Sequence, residues 1–196
     1  MKKKSMIICV IALAVFTAFG TYGYYCTARA AVISNASASA ANPFAKMKTK
    51  DINGSKVTYK SFAGHKITMI NVWATWCGYC VSEMPELQKI SKEYSNSRKV
   101  RVMGVITQTD NSTGAIRSGL TSSERTKAKK IIRQTGTTYH QLLVSSSMAS
   151  VLSGLEAFPT TYFVNSKGKI IGSPVLGARS KAQWESIIKE KLKAVS

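Results

Sequence analysis

The chain has 196 residues, 44% of them hydrophobic, and a formal net charge of +19. That length holds one domain of ordinary size plus appendages, and the composition is that of a globular protein. Residues 1–30 contain four of the 28 Lys and Arg residues and none of the nine Asp and Glu residues, which leaves 24 against nine in the remainder. The basic residues are scattered, with no cluster interleaved with aromatics. This argues against a nucleic-acid partner and for a basic surface near anionic envelope polymers or lipid headgroups.

Lys2, Lys3 and Lys4 precede an uncharged, mostly apolar run over residues 6–20. Residues 1–30 therefore read as a signal peptide or an uncleaved signal anchor. The run is short for a spanning helix, which needs about 20 residues. Extension through Tyr25 supplies that length and places tyrosines where interfacial aromatics sit. Ala28-Arg29-Ala30 offers small residues for cleavage, whereas Tyr24-Tyr25 before Cys26 departs from the small residues that lipidation wants. Residues 31–45, rich in Ala and Ser, read as a flexible linker. Residues 46–196 then form one folded domain.

Within that domain, residues 48–52 and 56–59 flank Asn53-Gly54, a hairpin signal for which a type I′ turn is expected. The apolar, β-prone run over residues 67–72 predicts a strand that leads through Trp73, a core residue, to Trp76 and then to Cys77 and Cys80. Met84, Leu87, Ile90 and Tyr94 recur at helical spacing, a helix of about four turns, and Pro85 inside it is expected to kink it. Residues 100–106 predict a strand and residues 107–120 a polar loop. Thr121-Ser122-Ser123-Glu124 is a capping box that opens a helix running to Gly136. A strand over 138–144 and a short helix over 147–153 follow. Residues 160–164 and 169–171, around Ser166-Lys167-Gly168, predict a second hairpin. Ser180 caps a last helix whose apolar face carries Trp184, Ile187, Ile188 and Leu192. The order of strands and helices is that of an α/β protein with helices on both faces of a sheet.

Of four cysteines, Cys9 and Cys26 lie in or beside the N-terminal apolar segment and make no disulfide framework. Cys77 and Cys80 are separated by two residues at a helix start, a spacing that brings both sulfurs within disulfide reach. The unpaired N–H groups of the helix N-terminus favour a thiolate at Cys77, the attacking nucleophile, and Cys80 is placed to resolve a mixed disulfide. Half of a zinc site is the competing reading, but no second Cys/His pair has ligand spacing, so no metal is expected. Covalent haem attachment needs a histidine where Val81 stands. His65 and His140 have no acid or cysteine at an instructive offset and read as surface or half-buried residues.

Trp76-Cys77-Gly78-Tyr79-Cys80, followed about eighty residues later by Phe158-Pro159-Thr160-Thr161, resembles the thioredoxin superfamily, and within it the extracytoplasmic TlpA/ResA-type thiol–disulfide oxidoreductases. The resemblance covers residues 47–196. It implies a thioredoxin-like fold: a central mixed β-sheet flanked by helices, an N-terminal hairpin, and a helix–strand insertion over about residues 122–144. It makes Pro159 a cis-proline facing the dithiol and has Phe158 pair with an extended substrate segment. Trp76 is read as an apolar contact surface beside the sulfurs. Glu83 matches a glutamate these proteins carry near the active site, where it influences cysteine ionisation or proton transfer. Gly78 and Tyr79 tune the redox potential.

The activity so implied is reduction of disulfides in proteins outside the cytoplasmic membrane, by a monomer with no cofactor beyond the Cys77–Cys80 disulfide. Apocytochrome c, sporulation-type targets or a methionine sulfoxide reductase are the implied clients, and a membrane donor of the CcdA/DsbD type the implied source of electrons. Action as an oxidase or isomerase is the same chemistry run the other way. A Cu(I)-delivery module using the dithiol is a different class, with Met84 as a nearby soft ligand. A peroxidase on this fold would not use a Cys-x-x-Cys pair.

Overall fold

The computed structural model describes residues 42–110 and 113–195. The signal segment expected over residues 1–30 and residues 31–41 of the expected linker lie outside the described residues. Among the described residues no helix is long and apolar enough to cross a membrane.

The linker was expected to extend to residue 45, but packed structure has begun by residue 42. The Asn42 amide donates to Gly168 O at 2.7 Å, and Phe44 is fully buried against Tyr162. A large aromatic ring inside the core outweighs the disorder suggested by the small residues before it.

β1 (Lys48–Lys50) and β2 (Lys56–Thr58) form the expected antiparallel hairpin, but not through a type I′ turn. That turn needs positive φ at both central residues, and here Gly54 has it (φ 98°) while Asn53 does not. Instead the Asp51 carboxylate accepts from the N–H groups of Asn53 and Ser55, each at 2.9 Å, and closes a wider loop.

The main sheet has the order β5–β4–β3–β6–β7. Its central strand, β3 (Ile67–Ala74), is buried along its whole length, which explains its near-continuous apolar sequence. It runs parallel to β4 (Val100–Thr107) and antiparallel to β6 (Thr160–Asn165). β5 (His140–Leu143) joins β4 in parallel, and β7 (Val175–Leu176) joins β6 antiparallel. The sheet is therefore mixed.

α1 (Gly78–Glu93), α2 (Ser122–Gln134) and α4 (Lys181–Lys193) cover one face, where Leu87, Ile90, Ile131, Trp184 and Ile188 pack among the alternate β3 residues Ile67, Met69 and Trp73. The other face holds α3 (Ser146–Leu152) together with Phe44, Met47 and Phe62, packed on Ile70 and Val72. This is the thioredoxin-like arrangement. The capping boxes at Thr121/Glu124 and Ser180/Gln183 both form, and α1 remains continuous through Pro85.

The second hairpin is only partly a ladder. Asn165 N–H donates to Lys169 O at 2.9 Å and Ile171 N–H to Phe163 O at 2.8 Å. The pairing then breaks at Gly172 (φ 66°) and at Pro174, which has no N–H, and resumes as β7.

On the opposite side, the first hairpin closes the edge of β5. Ile52 N–H donates to Gln141 O at 2.8 Å, and Thr49 Oγ1 donates to Leu143 O at 2.5 Å.

Gly104 of β4 lies under the side chain of Gln141: a Cβ there would stand 2.1 Å from Gln141 Oε1. That oxygen accepts from the Trp73 indole N–H at 2.8 Å in a fully buried setting. Gly104→Ala is expected to push the amide off the indole and to lower stability by about 1–3 kcal/mol. The change is read as a lower denaturation midpoint with an unchanged slope.

Candidate active site

β3 ends at Ala74, and the turn into α1 is pinned by the end of β4. Thr107 Oγ1 donates to Trp73 O at 3.0 Å, and Gln108 Nε2 donates to Thr75 Oγ1 at 2.8 Å. Cys77 is the N-cap of α1, with extended backbone (φ −88°, ψ 101°), and its Sγ accepts from the Cys80 N–H at 3.1 Å. A sulfur thus fills the place that a Ser or Asp oxygen usually takes at a helix start. When the bond to Cys80 is reduced, the same N–H and the helix N-terminus stabilise negative charge on that sulfur.

Cys77 and Cys80 are joined in a disulfide with Cα atoms 5.3 Å apart. Cys80 is fully buried and Cys77 is 6% exposed, so the Cys77 sulfur is the one that an incoming chain reaches. Around the bond, Trp76 is 53% exposed and Tyr79 77% exposed, an apolar rim beside the disulfide. The Trp76 ring meets Phe158 edge-on, with centroids 5.3 Å apart. Phe158 also packs against the cluster that contains both cysteines, and its peptide bond to Pro159 is cis. Gly78 opens α1 between the two sulfurs with open space around its Cα.

Glu83 lies one helical turn beyond Cys80 and is 2% exposed. Three donors converge on its carboxylate. The Arg179 backbone N–H (2.7 Å) and the Trp184 indole N–H (2.9 Å) donate to Oε1, and the Asn71 side-chain amide (3.0 Å) donates to Oε2. Burial pushes this carboxyl above its ordinary range. The hydrogen bonds from Arg179, Trp184 and Asn71, and the charge of Arg179, oppose the shift without cancelling it. Asn71 also donates to Thr161 Oγ1 at 3.0 Å, so the network joins α1, β3, β6 and the start of α4.

The sequence reading named Glu83 but not Asn71, Thr161, Arg179 or Trp184 as its partners. One signal was available: Asn71 is a lone amide in an otherwise apolar strand. Met84 is buried in the cluster that holds the cysteines. His140 is exposed, with Nδ1 3.9 Å from Asp51 Oδ2, and His65 is half-buried. Among the described residues no group of three or more His, Cys, Asp or Glu side chains is placed to hold a metal ion.

A thioredoxin-like sheet that presents a disulfide at the start of a helix makes this protein a thiol–disulfide oxidoreductase. The chain belongs to the Redoxin family, which it matches over residues 36–188, and is a TlpA/ResA-like member of the thioredoxin superfamily. It is 30% identical to the thioredoxin-like protein YneN of Bacillus subtilis over 139 residues, 69% of this chain and 71% of that one. It is 27% identical to the thiol:disulfide interchange protein DsbE of Haemophilus influenzae over 146 residues, 74% of this chain and 70% of that one. In structure it is similar to StoA of Bacillus subtilis, with a TM-score of 0.53 at 20% identity over 71% of this chain and 93% of that one.

Proposed function

We propose that this oxidoreductase works outside the cytoplasmic membrane as a reductant of protein disulfides. The observation that carries the reading is the Cys77–Cys80 disulfide, with Cys77 slightly exposed, Cys80 fully buried, and an apolar rim of Trp76, Tyr79 and Phe158 for a client chain to rest on.

The Cys77 thiolate attacks a client disulfide, and one client sulfur leaves as a thiolate. Cys80 then gives up its proton and attacks Cys77 Sγ, which releases the second client sulfur and restores the intramolecular bond. The client gains two electrons and two protons, and a membrane donor of the CcdA/DsbD type returns them to the pair. Phe158 and Pro159 hold the client segment beside Cys77. Glu83, a buried carboxyl with raised proton affinity, receives the Cys80 proton.

The reductive direction is supported by what surrounds the sulfurs. Gly78 and Tyr79 add no positive charge near Cys77, and Glu83 adds none near Cys80. A reduced pair stabilised by the helix N-terminus and the Cys80 N–H alone gives its electrons up more readily than one with an added cation beside it. The apolar run over residues 6–20 behind Lys2, Lys3 and Lys4 supports delivery across, or attachment to, the membrane.

Equilibration of the pair with glutathione or dithiothreitol tests the direction. A reduction potential near the thioredoxin value of about −270 mV is expected, and a value near the DsbA level of about −120 mV would assign the oxidising direction instead.

A further inference from the structure

Five of the 24 Lys and Arg residues that follow residue 30 stand on three loops at one end of the domain. β3 and β4 begin at that end and β6 finishes there. The three loops that meet there, residues 63–66, 94–99 and 166–169, carry Lys66, Arg98, Lys99, Lys167 and Lys169, all exposed, and no Asp or Glu. Among the described residues none of these five cations is held in an ion pair. Glu93, the nearest carboxylate in sequence to the middle loop, is taken by Lys181 at 2.7 Å.

The loops are fixed rather than loosely adjacent. Lys66 N–H donates to Arg98 O at 3.1 Å, and Ile67 N–H donates to Lys99 O at 3.0 Å. Lys66, Arg98 and Lys99, together with Ser97 and Ser166, line one shallow depression of about 440 Å³. His65 in the same depression is held below its usual proton affinity by burial first and then by the Arg101 and Arg98 guanidinium groups.

Two further placements define what this end faces. The length of β3 separates it from the dithiol by about 26 Å, at roughly 3.3 Å per residue. The chain also enters the domain here, where the Asn42 amide binds Gly168 O. The residues before it carry the apolar run and only basic charges, Lys2, Lys3, Lys4 and Arg29.

We propose that this cationic end rests reversibly against an anionic lipid bilayer, so that the docked domain turns the dithiol toward its clients and release from the surface returns it to the membrane donor. The inference rests on the extracytoplasmic, membrane-associated reading above and adds an orientation to it. Cations near an anionic leaflet are attracted over about a Debye length, so a fixed cluster at the tethered end settles on that surface in preference to the uncharged rim around Cys77.

The test uses the full chain, partitioned between detergent-free buffer and vesicles of phosphatidylcholine alone or with about one-third phosphatidylglycerol. The ratio of the two partition coefficients removes the contribution of apolar insertion. Reversal of Lys66, Lys99 and Lys167 to Glu is expected to lower that ratio by at least about a hundredfold, from roughly fivefold per cation lost near the surface with repulsion of the new carboxylates in addition. The control, with Lys127, Lys129 and Lys130 of α2 reversed to Glu, carries the same net charge and is expected to lose less than about tenfold. Hydrogen exchange on anionic vesicles is expected to slow in the three basic loops and not over residues 76–80.

Equal losses in the two variants, or slowed exchange around the cysteines instead, would overturn the orientation. Insulin reduction by each variant without lipid reports folding and the dithiol chemistry separately. Failure there with the vesicle ratios intact would count against the reductase reading and not against this one.

Discussion

Replacing Cys77 by serine abolishes catalysed insulin reduction and leaves only the rate of dithiothreitol alone, whereas replacing Cys80 by alanine arrests exchange halfway. The asymmetry follows from where the two sulfurs sit. Cys77 keeps the only exposed fraction of the pair and stands at the N-terminus of α1, accepting the Cys80 N–H, so it alone reaches a client disulfide. Cys80 is fully buried in the cluster with Trp73, Met84 and Ile106 and can attack only what is attached to its neighbour. In Cys80→Ala the mixed disulfide on Cys77 has no resolving thiol and persists until an outside thiol arrives. Non-reducing electrophoresis of the variant from its host is expected to show discrete higher-mass adducts that collapse on reduction, and mass spectrometry of those adducts names the clients. Adducts formed equally by Cys77→Ser would mean that the buried sulfur attacks, contrary to the geometry.

Glu83→Ala is expected to lower stability by about 3–5 kcal/mol, a large part of the margin of an ordinary domain. The loss has two sources: a cavity between α1 and β3, and three buried N–H donors, on Arg179, Trp184 and Asn71, left without their shared acceptor. Glu83→Gln is expected to stay within about 1 kcal/mol of the parent, because its oxygen keeps two of the donors. The Asn71 amide can also turn its unpartnered oxygen toward the new NH2 group.

The same pair of proteins separates charge from packing. The carboxyl of Glu83 is raised in the folded state, so the native protein binds more protons than the unfolded chain as pH climbs from the ordinary carboxylate range through the raised value. The contribution of this group is therefore present at the low end of that window and is lost as pH rises through it. Denaturation midpoints of the oxidised protein across that window are expected to show this decline, and Glu83→Gln to lack it. Glu83→Gln is also expected to move the pH profile of the step in which Cys80 releases a mixed disulfide preformed on Cys77, a readout that a purely structural role would leave in place.

Local chemistry explains which features could be read before any coordinates. The capping boxes at Thr121 and Ser180, the apolar run of β3 and the Cys77–Cys80 spacing are encoded within a few residues of one another, and their structural outcome depends on little else. The turn at Asn53-Gly54 was misjudged because Asp51, two residues upstream, competes for the loop N–H groups with a carboxylate that the type I′ reading ignores. The segment expected to pair at residues 169–171 does meet β6, through an antiparallel bridge at Ile170, but the ladder stops beyond it at Gly172 and Pro174, whose effect depends on which side of β6 they meet. The setting of Glu83 was illegible for a different reason. Its partners stand 12, 96 and 101 residues away, and no pattern in the α1 sequence reports that β3 and α4 supply the donors. Burial of Phe44 was hidden in the same way, since Tyr162, which it meets edge-on, lies far along the chain.

The hairpin clasp on β5 makes the sheet one-sided. With Gln141 and Leu143 carbonyls already engaged by Ile52 and Thr49, no foreign strand can extend the sheet from that margin. Backbone-to-backbone recruitment is left to the flank of β7, where Gly177 N–H already reaches Pro159 O at 2.8 Å. A strand added to this sheet would therefore join the flank on which the Phe158–Pro159 turn stands, and edge-to-edge growth from the β5 side is opposed by the same few atoms.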